Sequence, residues 1–247
     1  MKDKIKLIAT LLTGLLIPAL GLAEPTLHFV TVSADEFDHP HDLTLDPQGK
    51  YLFVTDMEND TVKVLDPITL AVVNVIGLGQ LKSPHDVIFD LQGRLLIADS
   101  GNNRIVAYKV NGKDAELDGV VTKGLRSPEG LAIDDESNIY IANTGRHNLI
   151  VADIEGRITN RFGGPGRETG QFVRVHDVEL SSDGLLFITD PGNNRIQILD
   201  KSLKVIKTLD GPSYSFDEPK YLSIDSNNRL YVADQHNNTL KVYNSQQ

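Results

Sequence analysis

Short apolar runs separated by polar turns make up almost all of the chain after residue 25. In the clearest stretch, residues 83–109, apolar runs cover 87–89, 95–98 and 105–108, with turns at 91–93 and 100–103 that contain glycine or asparagine. Runs of this length between such turns are typical of β-strands, and no 3.6-residue period competes with them. The pattern therefore predicts an all-β chain of antiparallel strands.

The three-strand pattern occurs five times along the chain. The units span 39–66, 83–109, 127–153, 173–200 and 218–244. Equivalent residues at the start of the first strand are 44, 44, 47 and 44 residues apart, and those that close the second strand are 43, 44, 47 and 44 apart. A less regular fourth strand is predicted after the first four units, at 70–76, 119–123, 158–162 and 204–209. A period in the forties with four strands per unit predicts a β-propeller.

The first 23 residues have the features of a secretory signal. Three lysines, Lys2, Lys4 and Lys6, precede an apolar segment at 7–20, and small residues lie near position 23. An apolar core of about 14 residues is short for a membrane helix, which needs about 20. We therefore expect a signal peptide at 1–23 and a mature domain at 24–247, located in the periplasm or secreted, with no stable membrane span after cleavage.

A strand is also predicted at residues 26–32, ahead of the first complete unit. The fifth unit lacks a fourth strand of its own. We expect residues 26–32 to complete the last blade, because this pairing would remove two exposed sheet edges. Five blades then form the propeller.

Composition narrows the possible functions. The chain of 247 residues has a net charge of −10 and contains no cysteine. The absence of cysteine excludes disulfides and a thiol nucleophile. An acidic chain without a basic cluster argues against nucleic acid as a partner, so we expect a peptide, a small molecule or a partner protein at the top face of the propeller.

The repeats resemble the NHL family. Residues 84–105 carry Pro-x-x-apolar-x-apolar-Asp, then Gly followed by an apolar run ending in Ala-Asp, then Gly-Asn-Asn-Arg-Ile, and residues 175–196 follow the same pattern with three substitutions. Members of this family are β-propellers, often with six blades. The resemblance implies a propeller and leaves five or six blades open.

One repeat position is chemically different from the others. If the first strand of each unit lines the central channel, its opening residue lies at the channel mouth. The mouth ring is then His41, His85, Glu129, His176 and Lys220, and the adjacent ring is Asp42, Asp86, Gly130, Asp177 and Tyr221. Three of the seven histidines of the chain fall in one repeat position, which random scatter would seldom produce.

Three imidazoles around one axis form a ligand set for a divalent metal. His41, His85 and His176 would suit zinc or another first-row metal and would leave a coordination position open. The neighbouring aspartates would orient the imidazoles. In the alternative interpretation, the histidines and aspartates form a polar lip that caps the strand starts and bonds across blades. The sequence leaves both interpretations open.

The segments 39–43 and 83–87, with their Pro-His-Asp sequence, resemble those of peptidyl-alpha-hydroxyglycine alpha-amidating lyases. Those enzymes are NHL-type propellers in which three histidines hold zinc. The resemblance implies metal ligands at His41 and His85, and at His176 less directly, because Val175 replaces the proline. The lyase tyrosine and arginine have no assigned counterpart in this chain.

Two functions follow from these patterns. The first is a binding scaffold whose channel mouth holds a ligand, with or without a metal at the histidines. The alternative is a metal-dependent lyase or hydrolase at the same mouth. The predicted ligand-binding residues beside the histidines are Glu129, Lys220, Asp42, Asp86 and Asp177. By contrast, the aspartates that end the second strands are expected to cap turns and to have a structural role. These are Asp56, Asp99, Asp190 and Asp234.

Overall fold

The computed structural model describes Thr31, Ser33 and residues 37–244. The predicted signal peptide lies outside the described residues, and so does the predicted closing strand at 26–32 apart from Thr31. No helix in the described part of the chain is long and apolar enough to cross a membrane.

Five antiparallel sheets follow one another along the chain and form the five blades of a β-propeller, as the repeat predicts. Blade 1 contains β1 Pro40–Leu45, β2 Leu52–Asp56, β3 Thr61–Leu65 and β4 Val72–Ile76. Blade 2 contains β5 Pro84–Phe89, β6 Arg94–Asp99, β7 Arg104–Asn111 and β8 Asp114–Lys123. Blade 3 contains β9 Pro128–Ile133, β10 Ile139–Asn143, β11 Asn148–Ala152 and β12 Ile158–Gly163.

The last two blades have shorter or fewer strands. Blade 4 contains β13 Val178–Leu180, β14 Leu186–Asp190, β15 Arg195–Leu199 and β16 Val205–Leu209. Blade 5 contains β17 Pro219–Ile224, β18 Arg229–Asp234 and β19 Thr239–Asn244, and has three strands within the described residues. In each of the first four blades, a single 3-10 turn joins the second and third strands. These turns are Met57–Asn59, Ser100–Asn102, Thr144–Arg146 and Pro191–Asn193.

The hydrophobic core lies between consecutive blades. Four clusters of buried apolar side chains fill the four interfaces from blade 1 to blade 5. Each interface joins one face of a sheet to the opposite face of the next, so both faces of an inner blade are buried. This explains why the strand sequences are apolar runs rather than strictly alternating patterns.

The facing sides of blades 1 and 5 are more exposed than the equivalent sides of the inner blades. Leu43 is 60% exposed, whereas the equivalent residues of the later blades are at most 8% exposed. On the third strand of blade 5, Leu240 is 70% and Val242 51% exposed, while their counterparts in the other blades are at most 8% exposed. A groove lined in part by Pro40, Met57 and Leu240 runs between these two blades.

A buried side chain closes the second strand of every blade. In blade 4, Asp190 is fully buried and its Oδ1 accepts a hydrogen bond from the Val173 amide at 2.7 Å. Its Oδ2 binds Asn193 Nδ2 at 2.7 Å and Arg195 Nε at 2.9 Å. The same pattern recurs at Asp56, Asp99 and Asp234, which confirms their predicted role in capping the turns.

Asp190→Ala is expected to destabilise the protein by about 3–5 kcal/mol, because it leaves the buried guanidinium of Arg195 without its counter-charge. Urea denaturation followed by circular dichroism measures the change. Asp153→Ala is the matched control, since it removes an aspartate whose ion pair with Arg157 lies at the surface. Similar losses for the two variants would contradict the assigned role of Asp190.

Candidate active site at the channel mouth

The inner strands of all five blades contribute to one cavity of about 410 Å³ at the channel mouth. Each inner strand begins at the mouth and runs inward, so successive residues lie progressively deeper. The polar residues that line the cavity are His41, Asp42, Thr44, His85, Asp86, Glu129, His176, Asp177, Glu179 and Tyr221. The structure therefore brings together the three predicted histidines, the three predicted aspartates and Glu129.

The three histidines come from blades 1, 2 and 4 and lie close to one another. The ring centroids of His41 and His85 are 4.3 Å apart, and those of His41 and His176 are 6.3 Å apart. The Nδ1 atom of His85 is 2.9 Å from the carbonyl oxygen of Ser83. Donation of the Nδ1 proton to this carbonyl leaves Nε2 of His85 with a free lone pair, the tautomer that a metal-binding imidazole requires.

Burial and neighbouring charge keep His41 neutral. Its pKa falls from 6.5 to about 3, first because the ring is desolvated and then because His85 and His176 are close. At neutral pH the ring of His41 is therefore uncharged. An uncharged imidazole can accept a proton, accept a hydrogen bond or bind a metal.

Glu129 and His176 form a buried pair beside these rings. Oε2 of Glu129 is 3.0 Å from Nε2 of His176, and the side chains are 13% and 4% exposed. Burial acts to raise the pKa of Glu129, but the contact with His176 and the charges of His85 and Arg174 lower it overall. Glu129 is therefore a carboxylate at neutral pH.

Tyr221 occupies the place that the repeat assigned to Lys220. Its hydroxyl is 2.6 Å from Nε2 of His41, and its ring contacts those of His41 and His176 edge to face. Desolvation, followed by the charge of Glu129, raises the pKa of Tyr221, so the hydroxyl keeps its proton at neutral pH and can donate a hydrogen bond to an unprotonated Nε2 of His41. Lys220 lines the groove between blades 1 and 5 and does not line the cavity.

The inner strands of blades 2 and 5 have the same register at this position. In β17, Pro219 pairs with Asp234 and Leu222 with Val232, and in β5 Pro84 pairs with Asp99 and Val87 with Ile97, so each inner strand has one extra residue. Tyr221 is therefore equivalent to Asp86, and the length of its side chain brings the hydroxyl up to His41.

The three aspartates of the second ring bridge neighbouring blades. Oδ2 of each accepts a hydrogen bond from an amide on the next inner strand. The bonds are Val87 N to Asp42 at 3.2 Å, Leu131 N to Asp86 at 2.6 Å and Leu222 N to Asp177 at 2.7 Å. The cross-blade bonds expected of a polar lip are therefore present for the aspartates.

Only glycine fits at position 130, because the backbones of blades 3 and 4 approach each other closely there. A Cβ atom at residue 130 would lie 2.7 Å from the Cα of Asp177. The Gly130 amide instead donates to the carbonyl oxygen of His176 at 3.0 Å.

Glu179 lies deeper in the channel and was not singled out by the sequence. It lines the cavity two residues after Asp177, on the same face of the inner strand. Burial raises the pKa of Glu179 to about 8 and that of Asp177 to about 6. Burial also raises the pKa values of Asp86 and Asp42, and for Asp86 the nearby charge of Asp42 adds to the effect. Glu179 lies three residues after His176, where the other units have Thr44, Ile88, Ala132 and Ser223, and this acidic exception is the signal that could have identified it.

Three buried atoms of the cavity have no hydrogen-bond partner. They are Nδ1 of His176, Oε2 of Glu129 and Oδ1 of Asp86. The contact of Glu129 with His176 has the distance of an ion pair without the angle of a hydrogen bond. Within the described range, no three His, Cys, Asp or Glu side chains are already arranged as metal ligands. The unpartnered Nδ1 of His176 and the neutral ring of His41 fit a metal, and binding would require His41 and His176 to reorient from Tyr221 and Glu129.

His147 has a structural role. It adopts a left-handed conformation with φ of 56°, as Asn103 does with φ of 57°. Its Nδ1 accepts a hydrogen bond from the amide of Arg174 at 2.9 Å, just as Asn103 Oδ1 accepts one from Ser127. His147 stands where the second repeat has Asn103, and it preserves the contact that this residue makes between blades.

These features define a β-propeller with a polar, histidine-containing cavity at one end of its channel. Residues 2–173 match the family described as the SMP-30/Gluconolactonase/LRE-like region. The chain belongs to this family. A comparison with curated proteins finds no match.

Solved structures support the same fold. The periplasmic gluconolactonase PpgL of Pseudomonas aeruginosa is 21% identical, with a TM-score of 0.65 over 85% of this chain and 67% of its own. A catalytically inactive histidine-to-alanine variant of virginiamycin B lyase from Staphylococcus aureus, in a structure with quinupristin, is 14% identical. Its TM-score is 0.64 over 83% of this chain and 67% of its own. A chain of a nidogen/laminin complex is 20% identical, with a TM-score of 0.67 over 84% of this chain and 76% of its own. At these identities the likeness establishes the fold alone.

Removing the carboxyl group of Glu179 should make stability less dependent on pH. Because its pKa is near 8 when folded and near 4.5 when unfolded, the folded state holds a proton that the unfolded state releases as pH rises between these values. The metal-free protein should therefore lose stability across this range. In Glu179→Gln the loss should be smaller by roughly 2 kcal/mol after allowance for partial solvent screening.

Urea denaturation at pH 5, 7 and 9 in the presence of chelator measures this dependence. Glu116→Gln, on the exposed strand β8, is the control and should behave as the unmodified protein does. Equal pH dependence in Glu179→Gln and the unmodified protein would show that Glu179 titrates normally.

Proposed function

We propose that the protein is a hydrolase that opens a small lactone or related ester at the channel mouth, assisted by a divalent metal such as zinc. The observation that carries this proposal is the convergence of His41, His85 and His176 on one cavity that also contains Glu129 and Tyr221. Membership of a family whose description includes gluconolactonase favours hydrolysis over other metal-assisted reactions.

Glu129 and Tyr221 supply opposite proton-transfer roles. The lowered pKa of Glu129 keeps a carboxylate available as a general base, and the raised pKa of Tyr221 keeps a hydroxyl available as a donor. A carboxylate and a protonated hydroxyl that share one cavity at neutral pH supply the acceptor and the donor that acid–base catalysis requires. Glu129 would remove a proton from the attacking water, and Tyr221 would donate one to the ring oxygen as the carbon–oxygen bond breaks.

The metal would be held by His41, His85 and His176. His85 has its Nδ1 on the Ser83 carbonyl, which leaves Nε2 for the metal, and His41 is neutral for the reasons given above. When bound, a divalent metal polarises a carbonyl oxygen or a water molecule. The inactive histidine-to-alanine variant of virginiamycin B lyase shows that a histidine is needed for activity in a propeller of similar fold.

A periplasmic location fits this proposal. The sequence predicts a signal peptide at 1–23, and PpgL of similar fold is described as periplasmic. We therefore place the proposed reaction outside the cytoplasm.

A ligand-binding scaffold is the second candidate. It is favoured by the use of Asp42, Asp86 and Asp177 in bonds between blades, which leaves fewer free groups for catalysis. A scaffold would hold a small molecule, a peptide or a partner protein at the same mouth without changing it. The lyase alternative, similar to the amidating lyases, depends on the same three histidines.

Metal content tests the histidine site. Protein saturated with zinc and then freed of excess should retain close to one equivalent, and His85→Ala should lower the zinc affinity by at least about tenfold. Elemental analysis after dialysis measures both. His236→Ala, at an exposed histidine on the turn of blade 5, is the control. Undiminished zinc binding in His85→Ala would place the metal elsewhere.

Activity separates the candidate functions. Metal-loaded protein should hydrolyse glucono-lactone, followed as proton release, and Tyr221→Phe should lower kcat by about 100-fold because the proton donor is lost. Tyr231→Phe is the control, since its hydroxyl contacts Asp225 on the surface of blade 5. Glyoxylate release from a peptidyl-alpha-hydroxyglycine instead would identify a lyase, and saturable binding of either compound without turnover would identify a scaffold.

A further inference from the structure

Two buried threonines lie beside the backbone of the channel mouth. Thr55 and Thr189 are the next-to-last residues of β2 and β14, the second strands of blades 1 and 4, and both are fully buried. The same two blades carry His41 and His176 at the mouth. We call the two residues the threonine pair.

The repeat forms without a hydroxyl at this position. In the other three blades, the residue before the strand-closing aspartate or asparagine is alanine. These residues are Ala98, Ala142 and Ala233. The threonine pair therefore needs an explanation other than blade formation.

The hydroxyl of Thr55 contacts the mouth of two blades. Its Oγ1 accepts a hydrogen bond from the amide of Asp42, the residue after His41, at 2.8 Å. The same hydroxyl donates to the carbonyl oxygen of His85 in blade 2 at 3.0 Å, and the carbonyl oxygen of Asp42 at 3.1 Å is its other acceptor. One buried hydroxyl therefore links the backbone at His41 to the backbone at His85.

An irregularity in β1 explains why the amide of Asp42 needs this acceptor. The pairing of β1 with β2 shifts register between Pro40 and Leu43, so His41 and Asp42 are not paired with residues of β2. An unpaired amide that is shielded from water is costly, and the hydroxyl of Thr55 supplies the missing acceptor. The hydroxyl thus holds the segment that carries His41.

Thr189 makes the equivalent contacts in blade 4. Its Oγ1 accepts the amide of Asp177, the residue after His176, at 2.8 Å. It donates to the carbonyl oxygen of Lys220 in blade 5 at 3.1 Å. Each member of the threonine pair therefore holds the amide that follows a histidine, and Thr55 in addition bonds with the backbone of a second histidine.

We propose that Thr55 and Thr189 are positioning residues for the metal site, and that Thr55 has the larger effect because it fixes His41 relative to His85. This inference rests on the proposed function, in which the three mouth histidines hold the metal. Neither threonine lines the cavity, so each acts through the backbone of the mouth. Groups that orient metal ligands change metal affinity by about 10–100-fold when they are removed.

Zinc affinity of the full chain tests this role without a measurement of activity. Thr55→Val removes the hydroxyl and keeps the branched shape of the side chain. Competition with a chromophoric chelator should show zinc affinity lowered about tenfold or more in Thr55→Val and about threefold in Thr189→Val. Thr55→Ser, which retains the hydroxyl, should bind zinc within about threefold of the unmodified protein.

Thr122→Val is the matched control. Thr122 is buried on the outer strand β8, and its hydroxyl lies 3.4 Å from the carbonyl oxygen of Gly156, between blades 2 and 3. Its zinc affinity should equal that of the unmodified protein. Urea denaturation without metal measures how much stability each variant loses, and Thr55→Ala, with the residue that three other blades carry, replaces Thr55→Val if that variant is unfolded.

The outcomes distinguish this inference from the proposed function. Unchanged zinc affinity in folded Thr55→Val, an equal loss in Thr122→Val, or no recovery in Thr55→Ser would overturn the positioning role while leaving the metal site intact. Absence of zinc binding in the unmodified protein would contradict the proposed metal site, and the positioning role with it.

Discussion

Every blade depends on the buried aspartate or asparagine that ends its second strand. This side chain accepts the amide of a residue 17 or 18 positions earlier, at 2.6–2.8 Å in all five blades. The amide it holds belongs to the connection that precedes the inner strand. In blades 1 to 4 the mouth residue lies three positions after that amide, so the same bond that closes the blade also fixes where the channel-lining side chains begin.

Much of this arrangement could be predicted because it is repeated. Turn asparagines, strand-closing aspartates and the period of about 44 residues reflect backbone requirements that each blade must meet, so five copies reveal both the fold and the position of the mouth. The placement of His41, His85 and His176 around one cavity followed from that period alone. Their ligand chemistry could not be predicted to the same extent, because it depends on which neighbours the rings bond with in the folded chain.

The unpredicted features arise where the repeat is broken. The contact of Tyr221 with His41 could not be predicted because the equivalent residues of blades 1, 2 and 4 are short aspartates, and only the folded chain shows how far the tyrosine reaches. Among the described residues, blade 5 is closely packed against blade 4 and its other face is more exposed, as at Leu240, so its side chains are under different constraints. Glu179 was missed because a carboxylate in a strand is ordinarily solvent-exposed, and only the ring geometry shows that it faces the channel.

The polar-lip and ligand-site interpretations of the mouth are compatible. An aspartate has two oxygens, and Asp86 accepts an amide of the next blade while its side chain also shares a hydrogen bond with Asp42. The bonds that join the blades therefore also hold the carboxyl groups of Asp42, Asp86 and Asp177 in the cavity, and these groups constrain what the cavity can hold. In the proposed hydrolysis, a neutral lactone enters and a carboxylate is produced. Repulsion between that product and the ionised carboxylate of Glu129 would favour its release from the cavity.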